Sequence, residues 1–175
     1  MNGEPGRDWI ESLPAILDEY AERWSFSLGE PFELSYNYVT AVKRADGSEA
    51  VLKSGFPNRE LLSEIHALQV FDGHGMVQLL EADFADQVFL LERVRPGIEL
   101  ITMEDDDEAV TRIAAQVMAQ YWRTVNEKRP LLSVKNWTSG LTKLRPHFNG
   151  TTGPFPVYLV DAAEHIFTEF IPSQG

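Results

Sequence analysis

The chain has 175 residues, 43% hydrophobic and 24% charged, a balance that supports a core of ordinary size and argues against wholesale disorder. Fifteen lysines and arginines against 27 aspartates and glutamates leave a formal net charge of −12, which argues against a phosphate-tracking nucleic-acid binder and against docking on an anionic membrane. There is no cysteine, which excludes disulfides, thiolate metal sites and cysteine nucleophiles, and no apolar run approaches the length of a membrane span. The N-terminal segment is acidic and amphipathic rather than a signal core, so the expected location is the cytoplasm.

The spacing of Trp9, Leu13, Ile16, Leu17, Tyr20 and Trp24 predicts an amphipathic helix over 8–24. Pro14 marks either a kink or a later start, and Gly29-Glu30-Pro31 breaks the pattern. From 32 to 54 the texture is β. Tyr36, Tyr38, Val39 and Val42 precede Ala45-Asp46-Gly47-Ser48, and Ala50-Val51-Leu52-Lys53 follows, which predicts a hairpin. Asn58 is a candidate helix cap with Glu60 in the first turn, and Leu61, Ile65 and Leu68 repeat at helical spacing. Asp72-Gly73-His74-Gly75 stops that helix. Two strands are predicted over 77–81 and 88–94, joined by a turn at Phe84-Ala85-Asp86. Val88-Phe89-Leu90-Leu91 is apolar on both faces, as in a buried strand.

Beyond Pro96-Gly97 the pattern is helical. Asp105, Asp106 and Asp107 stand at a predicted helix start, followed by the stripe Val110, Ile113, Val117, Tyr121 and Val125. A further segment carries Trp137, Leu141, Leu144 and Phe148, interrupted by Pro146. The last helix, over 156–170, aligns Leu159, Ala163, Ile166 and Phe170. The fold class expected is α+β, with a small antiparallel sheet and a helical second half.

The chemistry is concentrated between residues 34 and 100. A strand lysine, Lys53, is followed eleven residues later by a helix acid, Glu64, and then by a strand ending Leu90-Leu91-Glu92-Arg93-Val94. A strand lysine can present a point charge to phosphate oxygens, an acid on the packed helix can orient it, and a strand end can offer free backbone groups to a nucleobase. This is the order of parts in a kinase nucleotide lobe.

Four stretches carry a more specific resemblance: Ser35-Tyr36-Asn37-Tyr38-Val39, Ala50-Val51-Leu52-Lys53, 60–68, and 90–97. Together they resemble the aminoglycoside phosphotransferase superfamily, in its streptomycin and hydroxyurea kinase branch. The resemblance covers about 24–100 well and the later helices loosely. It implies a protein-kinase-like nucleotide lobe over 1–94 and part of a helical second lobe over 95–175. It implies ATP with Mg2+ as cofactor, Lys53 on the α/β-phosphates and Glu64 as its partner, with Glu60 the alternative. It places adenine on the backbone of Glu92 and Val94, Leu91 at the back of the slot, and the 35–38 segment, including Tyr36 and Asn37, over the phosphates.

The family's catalytic loop has a His-Gly-Asp-x-His-x-x-Asn pattern followed by a magnesium-binding Asp. Of His66, His74, His147 and His165, none precedes Gly-Asp. The final helix resembles the segment just before that loop. The expectation is therefore a truncated second lobe without general base or metal ligands, and little or no phosphotransfer from this chain alone. The acidic balance suits a cationic small-molecule substrate in a complete family protein, and equally suits solubility. Other readings stand beside this one. Lys53 and Glu64 are also compatible with an ordinary strand lysine and a solvated helix acid. Asp83-Phe84-Ala85 reads as a turn, the 105–108 acids as a helix start, and the four tryptophans as core. A chain lacking its second lobe would expose Tyr121 with Trp122 and Ile166 with Phe170, inviting self-association or a partner. It could then be a non-catalytic binding module, or a fragment without selected function.

Overall fold

A computed structural model of the chain describes residues 3–33, 36–103, 106–122 and 130–170. The chain forms two compact units, Met1–Pro130 and Leu131–Gly175. Leu34, Ser35, Asp105, Val125 and the side chain of Phe170, all used in the sequence reading, lie outside the described residues.

The first unit is α+β. Its described strands are β1 (Phe26–Pro31), β2 (Tyr38–Arg44), β3 (Glu49–Ser54), β4 (Leu79–Asp83) and β5 (Val88–Glu92), in the spatial order β1-β2-β3-β5-β4 with every pairing antiparallel. Its described helices are α1 (Gly3–Arg23), α2 (Arg59–Phe71) and α3 (Asp107–Tyr121), with a 3-10 turn at Leu100–Thr102.

The strands alternate, and each face has its own helix. Val42, Ala50, Leu52, Val88 and Leu90 point to one face and form a cluster with Leu17 and Tyr20 of α1. Phe89 points to the other and packs with Leu61, Ile65 and Leu68 of α2. Val88, Phe89 and Leu90 are fully buried, so β5 is sealed on both sides, as its unbroken apolar run predicts.

The hairpin falls where the Asp-Gly turn places it, with Val42 opposite Ala50 and Val39 opposite Lys53. Asp46 holds the turn, accepting from the Ser48 N–H and hydroxyl at 2.9 and 2.6 Å. Asn58 caps α2, its Oδ1 accepting from the Glu60 and Leu61 N–H groups at 2.8 and 2.9 Å. Asp72, in the left-handed conformation, ends that helix.

Four expectations need correction, one being that all four tryptophans are core: Trp122 and Trp137 are 83% and 63% exposed. The first helix begins at Gly3 and continues through Pro14, which stands on its exposed side, where the carbonyl one turn back can meet water. Gly29-Glu30-Pro31 is not a break but the end of edge strand β1. The pairing with β2 shifts register between Leu28 and Pro31, and only Phe26 of the strand is buried, so no alternation marks it in the sequence. A Cβ on Gly29 would stand 2.9 Å from the Ala41 carbonyl oxygen. Tyr121 is half-buried, edge-on to Phe71 of α2 with ring centroids 5.9 Å apart, whereas Trp122 beside it is 83% exposed.

In the second unit, α4 (Val134–His147) and α5 (Val157–Phe170) are joined electrostatically. Arg145 donates to Glu164 at 2.8 and 3.1 Å and to Asp161 at 2.5 Å. Ser133 and Asn136 form a reciprocal cap at the start of α4. Among the described residues, no helix is long and apolar enough to cross a membrane.

The C-terminal end of α1 is bound to the β4–β5 turn by polar contacts. Tyr20, fully buried, donates its hydroxyl to Asp86 at 2.8 Å, and Arg23 donates to Asp83 at 2.7 Å. Burial, then the Asp86 bond, pushes the Tyr20 hydroxyl far above its usual titration range. Burial alone would raise Asp83, but the Asp86 N–H, the Arg23 guanidinium and the Ala85 N–H outweigh it and hold the carboxyl below its ordinary value. A depressed carboxyl contributes stability that is complete above its unfolded pKa of about 3.9 and is lost as pH falls through the folded value. Unfolding monitored against pH should therefore show a loss below about pH 4 that Asp83→Asn reduces. Tyr20→Phe should cost about 1 kcal/mol in urea unfolding, and unchanged stability would refute a role for the hydroxyl.

Candidate functional site

The two faces of the sheet are covered unequally. On the α1 side Thr40, Val42, Ala50, Leu52, Ser54, Val88 and Leu90 are all buried. On the other side α2 seals Phe89 but leaves Val39, Ala41, Val51, Lys53 and Leu91 half-buried. The register aligns these residues in rows: Val39, Lys53 and Phe89 in one, Ala41, Val51 and Leu91 in the next. This gives a half-open apolar patch with one lysine at its border.

That lysine has a defined partner. Lys53 Nζ donates to both carboxylate oxygens of Glu64, at 2.7 and 2.9 Å. The side chains are 19% and 38% exposed, so the pair is accessible to a ligand. Glu64 stands next to Ile65, on the flank of the buried stripe, which aims it at the sheet. The placement of α2 rests on its cap and on Gln87, a buried residue with φ of +53° whose Oε1 accepts from the Asn58 N–H at 2.8 Å. Gln87 was not identified from the sequence. It acts across 29 positions, and no local pattern announces such a contact.

A cleft of about 290 Å3 opens beside Glu64, lined by Tyr36, Asn37, Phe56, Asn58, Glu60, Leu61 and Glu64. Tyr36 is 98% exposed, whereas Asn37 is half-buried against Gly55. A Cβ on Gly55 would fall 2.1 Å from Asn37 Oδ1, so glycine is required for that approach. Glu60, the alternative partner for Lys53, lines the cleft without making the bond. A larger groove of about 590 Å3 lies in the second unit, between α4 and α5, and is lined by none of the predicted site residues.

At the other end of β5 the ladder is released in an ordered way. The Glu92 N–H donates to the Gln78 carbonyl at 3.0 Å. The return bond does not go to the Glu92 carbonyl: the Gln78 N–H donates to the Glu92 carboxylate, Oε1, at 2.8 Å. The Glu92 carbonyl is thus left out of the exchange with Gln78. Val94 is 51% exposed, and its N–H has no partner among the described residues. Arg95 donates to Glu49 at 2.7 and 3.2 Å, tying the segment after β5 to the start of β3. That bond holds the Glu49 carboxyl below its usual range. Leu91, Glu92 and Val94 thus lie together at one border of the patch, with Lys53 and Glu64 near the other.

The residues present suit a ligand with a flat apolar part and an anionic part. The patch would take the first, the Glu92 carbonyl and Val94 N–H its polar edge, and Lys53 the charge. Among the described residues, no three His, Asp or Glu side chains gather as a metal site.

Comparison with known proteins points to a family. The profile of the aminoglycoside/hydroxyurea antibiotic resistance kinase family matches residues 23–169. The chain is similar to two streptomycin 6-kinases, from Streptomyces glaucescens and Streptomyces griseus, each 38% identical over 113 residues. Each of these matches covers 64% of this chain and 37% of the relative. It is also similar to a hydroxyurea phosphotransferase of Kitasatospora aureofaciens, 38% identical over 120 residues, covering 67% of this chain and 35% of that protein. The chain thus matches a little over a third of the length of these curated relatives.

The Gly55–Asn37 approach is testable without a ligand. Gly55→Ala should destabilise the first unit by about 1 kcal/mol, because Asn37 must move. Asn37→Ala in the same chain should recover most of that loss in urea unfolding. Strict additivity of the two substitutions would show that the contact is not the cause.

Proposed function

We propose that this chain carries an ATP-binding lobe, and the premise is its family: the chain belongs to the aminoglycoside/hydroxyurea antibiotic resistance kinases. The observation that supports the reading most is the Lys53–Glu64 pair, at 2.7 and 2.9 Å, standing at the edge of a half-open apolar patch. In this reading the first unit is a kinase-like nucleotide lobe. Adenine lies under Ala41, Val51 and Leu91. The Glu92 carbonyl accepts from its amino group and the Val94 N–H donates to its ring. Lys53 contacts the α/β-phosphates, held by Glu64, and Tyr36 and Asn37 cover the phosphates from the segment before β2.

The reaction suggested by the relatives' names is transfer of the γ-phosphoryl group of ATP to a hydroxyl of a small molecule such as streptomycin. In such a transfer positioned charge does most of the work. The residues described here fit the nucleotide but not the magnesium ion that accompanies it, since no carboxylate cluster gathers to hold one. No metal step is therefore assigned to them. No histidine in the sequence precedes Gly-Asp, so a general base of the family's type is not among these 175 residues. The part we assign to this chain is nucleotide binding, with phosphotransfer by these residues alone weak or absent.

A second reading, self-association as a non-catalytic module, is favoured by the exposure of Trp122 at 83% and Trp137 at 63%. Size-exclusion chromatography separates it from the first: a concentration-independent monomer that binds no apolar dye would exclude it.

Thermal unfolding with and without Mg·ATP tests the main reading. At a hundred times the dissociation constant, ATP should stabilise the native chain by about 2.7 kcal/mol, and Lys53→Ala should lose most of that gain. No response in either chain would reject it. Glu92→Ala frees the Gln78 N–H to claim the carbonyl. It should weaken adenine nucleotides about fivefold, the equivalent of one hydrogen bond of about 1 kcal/mol, measurable by calorimetry.

A further inference from the structure

One contact at the proposed slot belongs to neither the phosphate end nor the hinge backbone. The Arg93 guanidinium lies over the Phe32 ring, 4.6 Å from its centroid. These residues come from opposite borders of the patch. Phe32 follows β1, and its N–H donates to the Val39 carbonyl at 2.9 Å. With Pro31 opposite Thr40, that places Phe32 opposite Val39, on the same face as Lys53. Arg93 follows β5 and, two residues beyond Leu91 and four beyond Phe89, shares their face. The Arg93–Phe32 contact therefore spans the face that bears Ala41, Val51 and Leu91.

The contact has a cost that a simple tether would not need. Arg93 Nε, a hydrogen-bond donor, has almost no accessible surface and no partner among the described residues. Glu49, a carboxylate near Arg93, is bonded to Arg95. Among the described residues, the guanidinium rests on the face of Phe32. Such a contact is modest in strength, and the aromatic face it covers can instead stack a flat ring. A purine is such a group, and its stacking on the ring would release Nε to water.

We propose that Arg93 is a gate on the nucleobase slot: its guanidinium and an entering base compete for the face of Phe32. The inference rests on the nucleotide reading above and deepens it. Arg93 competes with the base rather than holding it, so its removal strengthens binding. Because the competition is at the base, adenosine and ATP respond alike. A phosphate contact would instead be lost for ATP alone.

The test is titration calorimetry of ATP and adenosine against the native chain, Arg93→Ala, Arg93→Lys and Lys53→Ala. Removing a contact of this kind should tighten both ligands about two- to fivefold in Arg93→Ala. Arg93→Lys, which keeps the charge but not the planar stack, should lie between it and the native chain. Binding by Arg93→Ala where the native chain shows none would support the gate in a stronger form. Unchanged affinities would overturn the gate alone. Weaker ATP with adenosine unchanged would make Arg93 a phosphate contact, and weaker binding of both would make it a fixed wall of the slot. Either result overturns the proposal. Absence of binding in the native chain and in every variant would instead reject the nucleotide reading.

Discussion

β5 is the strand on which the first unit depends. Val88, Phe89 and Leu90 are each fully buried, and they alternate between two separate apolar clusters. Val88 and Leu90 serve the α1 layer, and Phe89 serves the α2 layer. A shift of one residue in β5 would exchange both sets and spoil both interfaces at once. This fixes its register against β3, which in turn places Lys53 beside Phe89 and Leu91 beside Val51. The positions of the charged and apolar halves of the site thus follow from packing rather than from polar contacts.

The Lys53–Glu64 pair is better understood as orientation than as stability. With side chains 19% and 38% exposed, it is partly screened by solvent, and exposed pairs of this kind contribute little to folding. The position of α2 comes from Leu61, Ile65 and Leu68, all buried, and from the Asn58 cap secured by Gln87. With the helix already placed, the ion pair selects one rotamer of a long, flexible lysine. A carboxylate holding Nζ at two oxygens leaves the third ammonium hydrogen for another acceptor. A fully buried pair would be costly and closed to ligands, whereas a fully exposed one would be disordered.

Much of this was legible in the sequence because the signals were local. The Asp-Gly turn between Arg44 and Glu49, the Asn58 cap, the Leu61-Ile65-Leu68 stripe and the doubly apolar run at Val88 each carry their meaning within a few residues. Lys53 and Glu64, eleven residues apart, meet because a strand and the next helix pack together. What was missed is long-range or lacks a period. β1 is an edge strand with one buried residue and a proline at its end, so it reads as a break. The Gln87–Asn58 bond and the Arg93–Phe32 stack join residues far apart in sequence through side chains that are unremarkable in any local window. Tyr121 read as uncovered because its partner, Phe71, belongs to a helix fifty positions earlier.

The exit from β5 shows how a strand end can be kept available without becoming a liability. Unpaired backbone at the end of a ladder invites either continued pairing or aggregation. Here Glu92, Arg93 and Arg95 each make a specific side-chain contact. The Glu92 carboxylate takes the Gln78 N–H that would otherwise claim its own carbonyl. Arg93 turns onto Phe32, and Arg95 is drawn to Glu49 at the head of β3. Pro96, which has no N–H to donate, then ends any continuation. The consequence is a short backbone segment with a carbonyl outside the Gln78 exchange and a Val94 N–H without a partner among the described residues, two residues apart and beside an apolar patch. The Glu92 side chain thereby spares its own carbonyl, and it is the main chain that the proposed ligand would meet.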